Sequence, residues 1–162
     1  VAGAAETPQG MHQRRIPGSA SGESLPVVGM GTWNTFDVGV GAEERAPLRE
    51  VLAAFYAGGA RLIDSSPMYG AAERVTGDLV AQLRRESSTF YATKVWTTGR
   101  DKGVAQIEQS MRLLKTPKLD LLQIHNLLDW RTHAVTLREL KRAGKILYTG
   151  VTHYTLDAHA EH

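Results

Sequence analysis

Four polar side chains stand at or just beyond the ends of short apolar segments of this sequence. Asp64 follows the apolar residues of "RLIDS", Tyr69 comes five positions later, Lys94 lies near the end of "FYATKVW", and His125 closes "LDLLQIH". A buried charge at the end of a strand is costly unless it is paired or serves a function. Because carboxyl ends of parallel strands meet at one edge, we expect the four to share a site.

The chemistry that these groups suggest is proton donation to a carbonyl oxygen. A phenol ionises near about pH 10 and is a poor acid at neutral pH, so Tyr69 needs help. A lysine cation about 4 Å away favours a phenolate by roughly 4 kcal/mol at an effective dielectric constant near 20. Asp64 would hold Lys94, and His125 would donate a hydrogen bond to the substrate oxygen. None of the four supplies a hydride, so a bound reductant is required.

The elements that must position these residues alternate regularly along the chain. Five apolar segments rich in β-branched and aromatic residues predict strands at residues 27–33, 61–65, 90–96, 119–125 and 146–151. Between them, segments of helical periodicity begin near residues 43, 71, 103 and 133. Strands that alternate with helices pair in parallel through right-handed crossovers, which predicts an α/β fold.

The first predicted helix shows the clearest apolar stripe. Leu48, Val51, Leu52, Phe55 and Tyr56 recur at intervals of three and four residues. This spacing predicts one helix face packed on a sheet.

Two layouts fit such an alternation, an open doubly wound sheet and a (β/α)8 barrel. The segment "GMGTWN" lacks the third glycine of the dinucleotide fingerprint, since Asn34 stands there. The polar residues at successive strand ends favour the barrel. Before the first unit, "HQRRI" and "LPVVG" flank a Gly/Ser/Pro-rich stretch and predict a β-hairpin.

Composition narrows the classes of function. The 162 residues carry 19 Lys plus Arg against 17 Asp plus Glu, so the charge predicts neither nucleic acid nor membrane as a partner. The lack of cysteine excludes thiol catalysis. We expect residues 1–11 to be a flexible tail, residues 12–162 to form the domain, and the protein to be cytoplasmic, with export to the periplasm after signal cleavage as the alternative.

The motifs "LIDSSPMYG", "ATKVW" and "LLQIHN", with "GMGTW" before and "GKILYTGVTHY" after them, closely resemble the aldo-keto reductases. The resemblance implies a (β/α)8 TIM-barrel fold closed at its bottom by an N-terminal hairpin, and NADPH bound across the strand ends. It implies that Tyr69 is the catalytic acid, that Lys94 and Asp64 tune it, and that His125 orients the carbonyl.

The resemblance also implies binding residues. Those near the cofactor would be Gly31, Thr32, Trp33, Asp64, Thr152 and His153, with Thr152 at the position that holds the carboxamide and His153 where the family usually has Asn. Those lining the substrate pocket would be Trp33, Trp96 and Asn126. Asn126 replaces a Trp found in many members, which implies a more polar pocket.

A full barrel needs eight strands, and this sequence predicts five β/α units. We therefore expect a partial barrel whose open sheet edges need the missing barrel half or self-association to cover them. Three alternatives remain open: an inactive truncated fragment, a non-catalytic binding subunit of the same fold, and a metal-dependent barrel hydrolase using Asp64, His125 and His153. We interpret the ending with His153, His159 and His162 as a truncated helix.

Overall fold

The computed structural model describes residues 10–155 of the chain. Nearly all of the predicted tail, and His159 and His162 of the histidine-containing ending, lie outside the described residues. The strands are β1 (Gln13–Arg15), β2 (Ser24–Pro26), β3 (Gly29–Gly31), β4 (Leu62–Asp64), β5 (Phe90–Val95), β6 (Leu119–His125) and β7 (Ile146–Thr152). The helices are α1 (Ala42–Ala57), α2 (Ala72–Gln82), α3 (Arg100–Leu114) and α4 (Trp130–Arg142).

The strands form two sheets. β1 and β2 pair antiparallel as the predicted hairpin, and the other five form one parallel sheet in the order β3-β4-β5-β6-β7. A doubly wound sheet reverses its strand order at a switch point, whereas a (β/α)8 barrel keeps the strands in chain order. The described sheet keeps chain order throughout, which agrees with successive units of a barrel.

The hairpin lies at the amino-terminal end of the parallel strands. The Tyr148 hydroxyl, near the start of β7, lies 2.9 Å from both Ser19 Oγ and Glu23 Oε2. Arg61, just before β4, donates to Glu23 Oε1 at 2.9 Å. The opposite end, where the predicted site residues lie, is left open by the hairpin.

The helices have charges that suit their ends. α1 carries Glu43 and Glu44 in its first turn, and α4 carries Lys141 and Arg142 in its last. Acidic groups near the amino terminus of a helix and basic groups near its carboxyl terminus interact favourably with the helix dipole. Among the described residues, no helix is both long enough and apolar enough to span a membrane.

The core lies between the helices and the parallel sheet. It includes Leu52, Ile63, Val75, Leu79, Val80, Val95, Ile107, Leu114, Leu119, Leu122, Leu137 and Ile146. On α1, Leu48, Leu52 and Tyr56 are buried and Phe55 packs against the core, as the stripe predicts. Val51 is a correction, since 51% of it is exposed. It lies beside the stripe, where α1 already turns toward solvent.

Candidate active site

Strand register brings the predicted polar residues to one face of the sheet. Asp64 pairs with Ala92, two residues before Lys94, and Lys94 pairs with Gln123, two residues before His125. Side chains two residues apart on a strand point to the same face. Asp64, Lys94 and His125 therefore lie on one face of the sheet. Each is two residues farther along its strand than the partner of the residue before it.

Lys94 is the centre of the charged part of this cluster. It is buried, and its Nζ donates to Asp64 Oδ2 at 2.6 Å and to the backbone oxygen of Ser65 at 2.7 Å. The predicted pairing of Lys94 with Asp64 is thus present. A buried ammonium remains charged only where such partners replace water, and the two oxygens do so here.

Tyr69 is held beside Lys94 by a short loop between β4 and α2. Its backbone N–H donates to the oxygen of Ser66 at 3.0 Å, and the following Gly70 has a φ of +58°, which favours glycine. Lys94 Nζ lies 5.1 Å from the centroid of the Tyr69 ring. The ammonium thus lies within cation–π distance of the Tyr69 ring.

His125 is tied to the neighbouring strand. Its Nδ1 lies 2.6 Å from the hydroxyl of Thr152, the residue paired with it across β6 and β7. Burial, together with the nearby Lys94 ammonium, holds the pKa of His125 below its ordinary value, while the Asp64 carboxylate acts in the opposite direction. The imidazole is consequently neutral at neutral pH.

A cleft of about 410 Å³ opens beside these groups. Its lining consists of Trp33, Met68, Tyr69, His125, Asn126, Thr152, His153 and Tyr154. The phenol and the imidazole therefore border one space large enough for a small ligand. Trp33, Asn126, Thr152 and His153, which the sequence predicts as binding residues, border the same space.

Four of the predicted binding residues are not in the lining of this cleft: Gly31, Thr32, Asp64 and Trp96. Thr32 is fully buried, and its hydroxyl lies 3.0 Å from the oxygen of Asp64 and 2.9 Å from Ser65 Oγ. Gly31 pairs with Asp64, and a shift of one residue along a strand moves a side chain to the other face. Trp96 lies outside the cleft lining. Its backbone N–H donates to Gln106 Oε1 of α3 at 2.7 Å. Thr32 as a cofactor contact and Trp96 as a pocket residue remain predictions, which these contacts do not support.

The surroundings of the cleft fit a planar cofactor. A Cβ built on Gly31 would meet no atom within 4 Å, so the end of β3 borders open space. Trp33, two residues later, is 66% exposed and lines the cleft. Open backbone next to an exposed aromatic ring can accept a nicotinamide, with Thr152 and His153 as polar neighbours.

Three further residues contribute to the site although the sequence does not reveal them. Ser65 supplies a backbone oxygen to Lys94, Ser66 supplies one to Tyr69, and Asp37 Oδ1 accepts the Ala71 N–H at 2.8 Å at the start of α2. A backbone oxygen leaves no trace in residue type, and Asp37 is 34 positions away from its partner. No sequence signal could have identified these contacts.

A second cleft, of about 490 Å³, lies at the opposite end of the strands. It contains none of the four predicted catalytic residues. Two of its basic groups are paired, Arg61 with Glu23 at 2.9 Å and Lys115 with Asp78 at 2.7 Å. We therefore assign the candidate site to the carboxyl ends of the strands.

Comparisons with known proteins show the family of this chain. A family model described as "Aldo/keto reductase family" matches residues 27–161. The chain is 34% identical to methylglyoxal reductase YeaE of Escherichia coli over 151 residues, which cover 88% of this chain and 50% of that protein. It thus spans about half the length of the curated relatives it matches.

Solved structures give the same result. An aldo/keto reductase from Klebsiella pneumoniae in complex with NADP and acetate has a TM-score of 0.70 at 27% identity, covering 85% of this chain and 49% of that one. An aldo-keto reductase from the same organism in complex with NADPH has a TM-score of 0.72 at 26% identity, covering 91% and 52%.

Proposed function

We propose that this chain, which belongs to the aldo/keto reductase family, carries the proton-donating site of an NADPH-dependent oxidoreductase. The enzyme reduces aldehyde or ketone carbonyls to alcohols. The observation that carries the proposal is the placement of Lys94. Its ammonium is held by Asp64 and the Ser65 oxygen, and it lies beside the Tyr69 ring. This arrangement suits proton donation by a phenol.

NADPH, when bound along the open end of β3, would supply the hydride that the carbonyl carbon accepts. The Tyr69 hydroxyl gives its proton to the carbonyl oxygen, which completes the alcohol. The phenolate left on Tyr69 is stabilised by the Lys94 ammonium, which Asp64 keeps in position. His125 borders the same cleft and donates a hydrogen bond to the carbonyl oxygen as negative charge develops there.

Trp33 and Asn126 would contact the substrate, since both line the cleft, and Trp96 remains the third proposed substrate neighbour. The proposed cofactor neighbours remain Gly31, Thr32, Trp33, Asp64, Thr152 and His153. The hydrolase alternative loses a ligand, because Asp64 is paired with Lys94 at 2.6 Å. A cation in that position repels a metal ion.

Residues 12–162 are proposed to form one partial barrel domain. β3 and β7 each have one paired neighbour in the described sheet, so each leaves an edge. We expect activity from a protein in which a further barrel segment or a second chain covers these edges. This is also the observation that favours the second candidate, a chain that by itself binds or associates without turning over substrate.

The test is Tyr69→Phe in the full-length protein, assayed as aldehyde-dependent oxidation of NADPH with methylglyoxal, named in the E. coli relative, as the first substrate. Loss of the general acid should lower kcat by about 10²- to 10⁴-fold. NADPH binding, followed by its fluorescence, should persist because the ring remains.

The matched control is Tyr154→Phe, which removes a hydroxyl from the lining of the same cleft at a residue 84% exposed. This variant should keep wild-type turnover. Equal turnover by wild type and Tyr69→Phe would exclude Tyr69 as the acid. NADPH binding without turnover in the wild type would favour the binding subunit.

A further inference from the structure

The shortest hydrogen bond of the Thr152 side chain, among the described residues, is with His125. The Thr152 oxygen lies 2.6 Å from His125 Nδ1 and 3.4 Å from the backbone nitrogen of Asn126. The register of β6 with β7 places Thr152 directly opposite His125. This contact is therefore built into the sheet and does not depend on a mobile loop.

A hydroxyl gives one hydrogen and can accept two. The Asn126 N–H donates to the Thr152 oxygen, and the hydroxyl retains one hydrogen to give. Among residues 10–155, the other polar atom within hydrogen-bond distance of this hydroxyl is His125 Nδ1. Donation to Nδ1 makes that nitrogen the acceptor of the ring, and a neutral imidazole then carries its hydrogen on Nε2.

We propose that Thr152 is a positioning residue that selects the Nε2–H tautomer of His125, so that Nε2 points a donor at the carbonyl oxygen of the substrate. The functional half of this inference rests on the proposed carbonyl reduction. The tautomer itself does not. With the other tautomer, Nε2 would present a lone pair to the carbonyl oxygen, and the two would repel each other.

The groups around His125 leave this choice to Thr152. Lys94 and His153 disfavour a charged imidazole and Asp64 favours one, with Tyr69 across the cleft. None of these groups has a hydrogen bond to either ring nitrogen in the described part of the chain. Their charges affect whether the ring is protonated, whereas the hydroxyl decides which nitrogen carries the hydrogen of the neutral ring.

The test is ¹⁵N NMR of histidine-labelled full-length protein, in wild type, Thr152→Val and Thr152→Ser. The His125 signals are assigned by their loss in His125→Gln. Wild type and Thr152→Ser should show a protonated Nε2 and an unprotonated Nδ1 above the pKa of the ring. Thr152→Val keeps the shape but lacks the hydroxyl, and it should show a mixture of the two tautomers.

An activity measurement accompanies the spectra. Thr152→Val should lower kcat by at least about 10-fold, less than deletion of an oxyanion donor costs. Thr152→Ser should restore it. A hydroxyl that served packing alone would leave the tautomer unchanged in Thr152→Val.

The outcomes separate this inference from the proposed function. A protonated Nδ1 in the wild type, or an unchanged tautomer in Thr152→Val, overturns the inference and leaves the reductase proposal standing. The expected spectra in a protein without reductase activity would support the tautomer assignment and overturn the proposed function. The wild-type spectrum decides the first point even if a variant does not fold.

Discussion

At the level of single residues, Lys94 and Glu73 are buried ionisable groups that affect both the stability of this chain and its proposed chemistry. Lys94 is buried yet has two oxygen partners, Asp64 and the backbone of Ser65. Glu73 is also buried, and it accepts from Thr93 Oγ1 at 2.6 Å and from Ser110 Oγ at 3.1 Å. Because Thr93 precedes Lys94, Glu73 ties the helix that follows Tyr69 to the strand that carries Lys94.

The pKa of Glu73 is raised from its ordinary value of 4.5, chiefly because burial penalises the carboxylate, and the two hydroxyl donors offset part of this. The folded protein therefore binds this proton at a higher pH than the unfolded chain. The Glu73 contribution to the free energy of unfolding falls as pH rises from the unfolded pKa to the folded pKa, and is constant above it. Above the folded pKa, the ionised carboxylate lowers stability.

We predict that Glu73→Gln removes this pH dependence. The free energy of unfolding of Glu73→Gln minus that of the wild type should rise between about pH 4.5 and the raised folded pKa, and then level off. Urea unfolding of both proteins at a series of pH values measures the difference. The control is Glu108→Gln on the exposed side of α3, and a Glu73→Gln difference that did not vary with pH would contradict the prediction.

At the scale of elements, the loop between β4 and α2 holds Tyr69 through a contact with the loop after β3. Asp37 accepts the Ala71 N–H at the start of α2 and lies against Gly70. A Cβ on Gly70 would collide with the Asp37 carboxylate, and the φ of Gly70 is +58°. Both features require glycine directly after Tyr69.

We predict that Gly70→Ala destabilises the protein and lowers turnover together. The left-handed backbone alone costs an alanine about 1–2 kcal/mol. The collision with Asp37 adds to this and moves the Tyr69 loop. Urea unfolding and the NADPH oxidation assay measure the two effects.

Gly144→Ala is the matched control, because Gly144 has a φ of +70° and a Cβ there would meet nothing within 4 Å. It should show the backbone cost and normal turnover. The double variant Asp37→Ala with Gly70→Ala should lose less stability than the sum of the single variants, because it removes the collision. Strict additivity would show that Asp37 does not restrict Gly70.

At the scale of the whole molecule, the described sheet has open edges. Helices pack against the sheet to form the core, and the hairpin covers the amino-terminal end of the strands. β3 and β7 each keep one free edge, and on β7 Leu147 and Val151 are 38% and 44% exposed. Exposed edge strands that carry apolar side chains promote pairing with other chains.

We predict that the 162-residue chain, produced alone, associates in solution. Sedimentation should give a species heavier than the 17.7 kDa monomer, and Leu147→Lys with Val151→Lys should reduce that association. The control places one lysine at Val135 of α4, which is 45% exposed but not on a sheet edge. A monomer that turns over NADPH would contradict both this prediction and the need for covered edges.

Much of this fold could be predicted from local patterns. The hairpin, the order of strands and helices, and the strand β6 at residues 119–125 follow from apolar periodicity and turn residues, which belong to short stretches of chain. Strand limits were less accurate, since β3 covers 29–31 where the pattern indicates 27–33. The strand ends at Gly31 because the chain turns soon after it, where the Phe36 N–H donates to the Thr32 oxygen at 3.1 Å.

By itself the sequence determined the order of the units and the family to which Asp64, Tyr69, Lys94 and His125 point, because residue types at strand ends are local properties. The tertiary structure alone decided which groups meet. The Ser65 oxygen on Lys94, the hydroxyl of Thr152 on His125 and the burial of Thr32 all depend on register between strands. Register is set by how distant segments pack, and backbone groups carry no residue identity from which such contacts could be read.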